Sequence, residues 1–201
     1  MKKGNIKLVT FDFHSHRYFY CGKELRGVTA VIGKTLGKNY PSTALVALSC
    51  SYGTQVHKES ERWIEEGKEP DMPDSIWLID QLRDFRSGHG LTAKYSAEVR
   101  VSDFEGTASN VDAVLHTPEG VFIFDIKTGR FDRQYCTLQL NAYRLMYENC
   151  YPEKVLGMSV LGTKSKRLYR IYTCEDKIIL NLLERNKRTD TGISGTEKLT
   201  G

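Results

Sequence analysis

The sequence predicts a mixed α/β fold, because stretches with helical spacing of apolar residues are followed along the chain by stretches in which every second residue is apolar. The chain has 201 residues, of which 40% are hydrophobic and 27% charged. This is an ordinary composition for a globular protein, and we expect one domain over residues 1–188. Residues 189–201 are rich in Gly, Ser and Thr without periodicity, so we expect a disordered tail.

Short strands and then two helices are predicted in the first half of the chain. β-Branched and aromatic residues favour strands over residues 6–10 and 18–21. Residues 28–32 are apolar and β-branched but too few to assign to either class. Helical spacing predicts helices over residues 53–66 and 75–85, each with an apolar stripe opposite a charged face.

Strands and a hairpin dominate the second half. Period-two alternation predicts strands over residues 97–101, 110–116 and 121–127, and a turn at 117–120 joins the last two into a hairpin. The remaining predicted elements are a helix over 132–148 that begins after an N-cap at Asp132, strands over 155–161 and 167–173, and a helix over 176–188.

Composition and charge restrict the classes of partner. No apolar run approaches the roughly 20 residues that a membrane-spanning helix needs, and no secretory signal is visible. The five cysteines are widely spaced, with no Cys-x-x-Cys pair to suggest zinc or an iron–sulfur cluster. We therefore expect a cytoplasmic protein with reduced thiols and no membrane partner.

The net charge of +4 is too small to indicate a nucleic-acid partner, but its distribution is uneven. Residues 1–163 contain 20 basic and 20 acidic residues, whereas residues 164–188 contain 8 basic and 3 acidic ones. This stretch is either an ordinary solvated surface or a surface for phosphates. Its four cations Lys164, Lys166, Arg167 and Arg170, with Tyr169 and Tyr172 among them, form a candidate DNA-contacting strand.

The predicted hairpin carries the residues that point to chemistry. In the strand over 121–127, Asp125 and Lys127 share a face with Val121 and Ile123. A charge on an apolar face is costly unless it is paired or binds a metal. Asp112 lies on the partner strand, and an antiparallel hairpin brings it near Asp125. Two adjacent carboxylates repel each other, and a shared Mg²⁺ or Mn²⁺ relieves that repulsion. The alternative is an Asp–Lys ion pair on the surface at a strand end.

Several motifs, taken together and in order, resemble the RecB-like branch of the PD-(D/E)XK nuclease superfamily. They are Gly-Thr-Ala-Ser-Asn-Val-Asp at 106–112, Phe-Asp-Ile-Lys-Thr-Gly at 124–129, Gln-Leu-Asn-Ala-Tyr at 139–143 and, upstream, Gly-Thr-Gln-Val-His at 53–57. His16-x-Tyr18 and Gly27-Val-Thr29 are similar to the N-terminal entry of many members. The match covers about residues 18–148, and Gly106 stands further from Asp112 than is usual in the family.

The resemblance implies a restriction-endonuclease-like core, a small mixed sheet flanked by helices, that cuts phosphodiester bonds with Mg²⁺ or Mn²⁺. It implies metal ligation by His57, Asp112, Asp125 and the Ile126 carbonyl, with Asp112, Asp125 and Lys127 catalytic. Gln139 and Tyr143 would bind DNA or brace the active site. Glu98, on the preceding strand, is either an outer-sphere acid or an exposed strand residue. We also expect the Lys127 head group to reach solvent in the cleft.

Three functions stay open at this point. The first is a DNA exonuclease in recombination, repair or replication, acting with a recombination or single-strand-binding protein. The second is a structure-specific or restriction-type endonuclease on the same core. The third is a non-catalytic DNA-binding module with a relic site. The compact length is similar to that of phage nucleases without an iron–sulfur cluster, so a phage-encoded protein in the host cytoplasm is our expectation.

Overall fold

The computed structural model describes residues 1–12, 15–38 and 44–188, except the side chains of residues 44–47, 186 and 188. The predicted tail at 189–201 lies outside the described residues. The strands in these ranges are β1 (Val9–Asp12), β2 (Arg17–Tyr20), β3 (Lys23–Gly27), β4 (Lys94–Ser102), β5 (Thr107–Thr117), β6 (Gly120–Lys127), β7 (Val155–Gly162) and β8 (Arg167–Ile171). The helices are α1 (Val28–Thr35), α2 (Ala44–Glu66), α3 (Pro73–Ser87), α4 (Arg133–Cys150) and α5 (Asp176–Arg188).

The eight strands form one mixed sheet in the order β1-β2-β3-β5-β6-β7-β8, with β4 paired to β5 outside that path. The β3–β5 and β6–β7 pairs are parallel, and the other pairs are antiparallel. The β7 strand is reached from β6 through α4, as a parallel connection requires.

Helices cover both faces of the sheet. Val56 and Trp63 of α2 and Leu78, Ile79 and Leu82 of α3 pack with Ala113, Leu115, Phe124 and Ile126 of β5 and β6. On the other face, α1, α4 and α5 pack against Val111, Val114, Val121 and Ile123. This arrangement confirms the expected α/β class, with a mixed sheet between helices.

The β5 strand has partners that change along its length. One edge pairs with β4 over almost its whole length. On the other edge, Thr107 and Ala108 pair with β3, whereas Ala113–Thr117 pair with β6. Residues 109–112 lie between these two partners, so β5 and β6 diverge at Asp112. We call this point the fork.

The largest local differences from the sequence prediction lie in the N-terminal third, where β3 was not predicted, and elsewhere the ends of elements shift by a few residues. Residues 6–8 form a short 3₁₀ helix instead of the start of a strand, and β1 begins at Val9. The unassigned segment at 28–32 begins helix α1, because its apolar side chains Val28, Val31 and Ile32 lie against the core. The Asp132 N-cap is confirmed, since its side chain accepts a hydrogen bond from the Tyr135 amide.

Over the ranges that the structure describes, none of the helices combines the length and the apolar character that crossing a membrane requires.

Candidate functional site

The fork between β5 and β6 positions two carboxylates. Ala113 and Phe124 are the last paired residues of the two strands, and Asp112 and Asp125 come one position beyond them. Where the backbone ladder stops, Asp112 Oδ2 accepts a hydrogen bond of 2.6 Å from the Ile126 amide. The side chain thus takes over a bond that a strand carbonyl would otherwise make, and this fixes its direction.

A histidine and a second acid meet Asp112 at the fork. His57, on α2, has its Nδ1 atom 3.4 Å from Asp112 Oδ1. Glu98 lies across from Asp112 in the β4–β5 register, between the pairs Ala97–Ala113 and Val99–Val111. One ligand atom each of His57, Glu98 and Asp112 lies within 4.8 Å of the other two. Three groups of this kind at this separation are able to hold a divalent cation.

The backbone at Glu98 is unusual. Its φ of +48° lies in the left-handed region, which a glutamate seldom adopts. On either side of it, Tyr95 packs with the α2–α3 face of the sheet, whereas Val99 packs with the α4 face. Strict alternation would put both on one face. The alternation of the β4 side chains between the two sheet faces therefore reverses near Glu98. The irregular backbone at this point directs the Glu98 side chain toward the cluster.

Asp125 is held from another direction. Its side chain is only 2% exposed, and its Oδ2 atom lies 2.7 Å from Lys127 Nζ. Gln139 Nε2, on α4, donates to Asp125 Oδ1 at 2.7 Å and lies 2.8 Å from the Tyr143 hydroxyl. Ser109 of β5 donates to that hydroxyl at 3.2 Å. A buried chain of polar groups thus connects β5 and α4 to Asp125.

The carboxyl groups of the site are buried beside other charges, and both effects shift their pKa values. Burial raises the pKa of Asp125 to about 6 against the attraction of Lys127, and nearby Asp112 raises it further. Burial and the charge of Asp112 raise the pKa of Glu98 to about 7. Burial opposes ionisation of Asp112 as well, but His57 outweighs it and lowers the Asp112 pKa.

The two cations respond in the opposite sense. Burial acts to lower the pKa of His57, but the Asp112 carboxylate, together with Asp125, raises it to about 9. Burial likewise opposes the charge of Lys127, and the attraction of Asp125 and Asp112 outweighs it, so the Lys127 pKa is raised. Without a metal ion, His57 is therefore protonated at neutral pH and serves as the counter-ion of Asp112.

The donor set fits Mg²⁺ or Mn²⁺. Carboxylate oxygens suit both ions, and a neutral imidazole suits Mn²⁺ better than Mg²⁺. Burial raises the pKa values of two of the carboxyl groups, Glu98 and Asp125, and the Asp112 charge raises them further; a divalent cation relieves this repulsion between the carboxylates. Glu98, for which an outer-sphere acid and an exposed strand residue were both open, is half-buried in the tight group with His57 and Asp112. Asp125 is instead oriented by Lys127 and Gln139.

The other predicted site residues have definite positions. Ile126 contributes its amide to Asp112, and ligation through its carbonyl stays a prediction. Gln139 and Tyr143 are almost completely buried, so their contacts support the bracing role. A direct role of these two in substrate binding, which needs exposure, stays a prediction without support from these contacts. Lys127 is 25% exposed and reaches a cavity, as expected, but its ammonium is already paired with Asp125.

Two cavities are lined by residues of the site. One, of about 630 Å³, contains His57, Glu98 and Asp112, with Tyr18 and Asn110 in its wall. We call it the acidic cleft. The other, of about 830 Å³, is lined by Lys127 and by the segment that connects β6 to α4. Tyr18, Ser109 and Asn110 lie in the motifs that carry the family resemblance, but sequence reasoning gave none of them a role in the site. Asn110 had the clearest further signal, because it lies two positions before Asp112 on the same strand.

Comparisons with known proteins add little. No protein-family model matches the chain, and no curated protein matches it. Among solved structures, it is similar to one described as "Crystal structure of SSO0001", with 13% sequence identity and a TM-score of 0.44, over 82% of this chain and 75% of that chain. No argument about fold, site or function follows from a likeness of this extent.

Proposed function

We propose that the chain is a metal-dependent DNA nuclease of the PD-(D/E)XK type, and that it acts as an exonuclease. The observation that carries the proposal is the fork, where the ligand atoms of His57, Glu98 and Asp112 lie within 4.8 Å of one another, beside the Asp125–Lys127 ion pair. A surface ion pair at a strand end, the alternative considered for Asp125 and Lys127, does not account for a carboxylate that is 2% exposed.

Asp112 and Asp125 would hold Mg²⁺ or Mn²⁺, with Glu98, His57 and the Ile126 carbonyl as further candidate ligands. A bound ion of this kind polarises a phosphoryl oxygen and lowers the pKa of a water molecule, so that hydroxide becomes available near neutral pH. Protonated His57 forms an ion pair with Asp112, and it must lose that proton before its nitrogen can bind a metal. Loading is therefore coupled to proton release.

Lys127 has the charge and the position for the chemical step. Its ammonium keeps its proton because both nearby aspartates raise its pKa, and a quarter of its side chain faces the cavity. A phosphate under attack gains negative charge, and a fixed cation beside it stabilises that charge more than it stabilises the starting diester. Gln139 and Tyr143 hold Asp125 in place, so the distance between Lys127 and the carboxylates stays fixed.

DNA as substrate and exonuclease as mode rest on the resemblance of the motifs at 53–57, 106–112, 124–129 and 139–143. We also propose that the protein acts in the cytoplasm and is encoded by a phage or prophage. Its protein partner would be a recombination or single-strand-binding protein. All five cysteines are free thiols in the structure, which is in keeping with a reducing compartment.

The test is digestion of end-labelled linear DNA and closed circular DNA, single- and double-stranded, with Mg²⁺, with Mn²⁺ and with a chelator. We expect metal-dependent degradation of linear DNA and intact circles. Cutting of circles would replace the exonuclease by an endonuclease. Binding of DNA with no cutting under any metal condition would replace the nuclease by a binding module.

A further inference from the structure

The second cavity has a larger excess of positive charge than the acidic cleft. Among the described residues, its wall contains four cations, Lys38, Lys127, Arg130 and Arg133, and one acid, Asp132. That acid is already engaged, because it caps α4 and forms an ion pair with Lys38. Hydrogen bonds from Lys38 and from the Tyr135 amide hold the pKa of Asp132 below its ordinary value, so it stays ionised and occupied. We call this cavity the basic pocket.

Two of the four cations have no anionic partner among the residues that the structure describes. Within residues 1–12, 15–38 and 44–188, neither Arg130 nor Arg133 forms an ion pair with an acid, and both are exposed. The Arg133 guanidinium lies 5.5 Å from the centre of the Phe131 ring. Arg133 is the first residue of the 18-residue helix α4, and Arg130 lies two residues before its N-cap, so the helix N-terminus adds a positive partial charge beside both.

One side of the basic pocket is held to the sheet by a stack of two aromatic rings. The Phe131 ring stacks on Tyr169 of β8, with ring centres 3.9 Å apart and an angle of 3° between the planes. This stack ties the segment between β6 and α4 to the sheet. It also brings the pocket beside β8, where Arg167 and Arg170 are exposed. A fixed wall means that little ordering is needed when a ligand binds.

The two cavities differ in their balance of charge. The acidic cleft contains three carboxyl groups, those of Glu61, Glu98 and Asp112, but also Lys58 and His57, so much of its negative charge is offset. The wall of the basic pocket, as far as the structure describes it, carries a clear excess of cations. Of the two cavities, the basic pocket therefore offers an extended polyanion the more favourable path.

We propose that the basic pocket binds the phosphodiester backbone of a nucleic-acid strand, next to the phosphate that is held at the fork. This inference rests on the proposed function for its account of the fork, but the pocket itself is argued from its own charges. Arg130 and Arg133 make the phosphate contacts, and Lys127 marks the boundary between binding and cleavage. The ligand class is an oligonucleotide, and inorganic phosphate is the competing source of the same chemistry.

The experiment measures binding without cleavage. A labelled single-stranded oligonucleotide is titrated with the protein in chelator, over a series of salt concentrations. The variants are Arg130→Ala/Arg133→Ala and, as a matched control, Arg86→Ala. Arg86 is also exposed, and its neighbour Phe85 contacts Phe122 near the other end of β6. Melting temperatures confirm that each variant is folded.

For the double variant we expect binding to weaken by about tenfold or more. The slope of log K against log salt should become less steep by about 1.4, since each phosphate contact on a single strand contributes about 0.7. The control should keep the parent affinity and slope. An unchanged slope in the double variant would overturn the proposal. Inorganic phosphate that competes as strongly as the oligonucleotide would also overturn it, in favour of a site for free phosphate.

Cleavage is assayed separately with Mn²⁺, so the two proposals fail in different ways. If the parent cuts no DNA but its binding depends on Arg130 and Arg133, the basic pocket is supported and the nuclease is wrong. If the parent cuts DNA and the double variant binds like the parent, the nuclease is supported and the basic pocket is wrong.

Discussion

At the scale of single residues, the Asp125–Lys127 pair decides how a substitution at Lys127 is interpreted. The lysine is partly exposed, which by itself would make its removal cheap. Its partner is buried, however, and an unpaired buried carboxylate is costly. The expectation from sequence, that Lys127 reaches the cleft, describes the exposed part of its side chain and leaves the ion pair out.

We expect Lys127→Ala to lower the cleavage rate by about 10²–10³, because a fixed charge near the transition state is lost. The same variant should be destabilised by up to about 3–5 kcal/mol, the usual cost of leaving a buried charge unpaired. Uptake of a proton by Asp125 reduces this cost as the pH falls. Urea denaturation together with a cleavage assay measures both effects.

The matched variant removes both charges. Lys127→Met with Asp125→Asn should recover most of the lost stability, because no charge is left without a partner, while cleavage stays absent. If Lys127→Ala cuts DNA at the parent rate, the assignment of the active site is wrong. If the double variant is less stable than Lys127→Ala, the ion pair is not what the lysine contributes to the fold.

Part of the site could be proposed from the sequence. The hairpin spacing pointed to Asp112, Asp125 and Lys127, the family resemblance added His57, and Glu98 lies on the neighbouring strand. The burial of Gln139 was not predictable, because it depends on how α4 packs across the sheet. The ring stack of Phe131 on Tyr169 joins residues 38 positions apart and has no local signal.

At the scale of elements, the β5–β6 hairpin is what holds the fork together. Its turn ends at Gly120, whose φ of +151° is a conformation that side chains rarely adopt. A Cβ atom at Gly120 would lie 2.5 Å from the Lys154 carbonyl, which is backbone and has little freedom to move. The tight turn at 117–120 was predictable from its Pro and Gly, but this close approach to the start of β7 was not.

We predict that Gly120→Ala destabilises the protein by more than about 1 kcal/mol, since both the backbone conformation and the space are wrong for a side chain. The control is Gly33→Ala, in helix α1, where nothing lies within 4 Å of the added Cβ atom. That change should stabilise the fold by about 0.5–1 kcal/mol, because alanine favours a helix over glycine. Equal effects of the two substitutions in urea denaturation would contradict this account of the hairpin.

The elements themselves were largely predictable where periodicity is strong, as in β5, β6, α3 and α4. Segment 28–32 shows the limit, because its β-branched residues favour a strand locally and the core contact of α1 overrides that preference. The face exchange at Glu98 was also hidden, since sequence alternation alone does not reveal a residue with positive φ.

At the scale of the whole molecule, the charges of the fork couple its stability to pH. In metal-free protein, three groups of the fork have pKa values that folding raises into the range of about 6 to 9: Asp125 from 3.8 to about 6, Glu98 from 4.5 to about 7 and His57 from 6.5 to about 9. A raised pKa means that folding favours the protonated form. The contribution of each group to the free energy of unfolding is fully present below its unfolded-state pKa. It is lost as the pH rises through the folded-state pKa.

We therefore expect the melting temperature in chelator to fall as the pH rises from 6.5 to about 9, the window set by His57. His57→Gln should flatten the curve in that window, and the difference between the two curves isolates this residue from other titrating groups. Mn²⁺ should stabilise the parent more at higher pH, because ligands bind a metal in their deprotonated form. If the melting temperature of the parent rises relative to that of His57→Gln as the pH increases across this window, the raised pKa assigned to His57 is wrong.

The central claim is that the fork binds a divalent ion and uses it to hydrolyse DNA. The most direct measurement is the cleavage rate of labelled linear DNA as Mn²⁺ is added to metal-free protein, with the parent and Asp112→Asn side by side. We predict no cleavage before metal is added, a saturable increase in the parent and a rate at least about 10² lower in the variant. Cleavage that persists in chelator, or an Asp112→Asn variant that cuts at the parent rate, would contradict the claim.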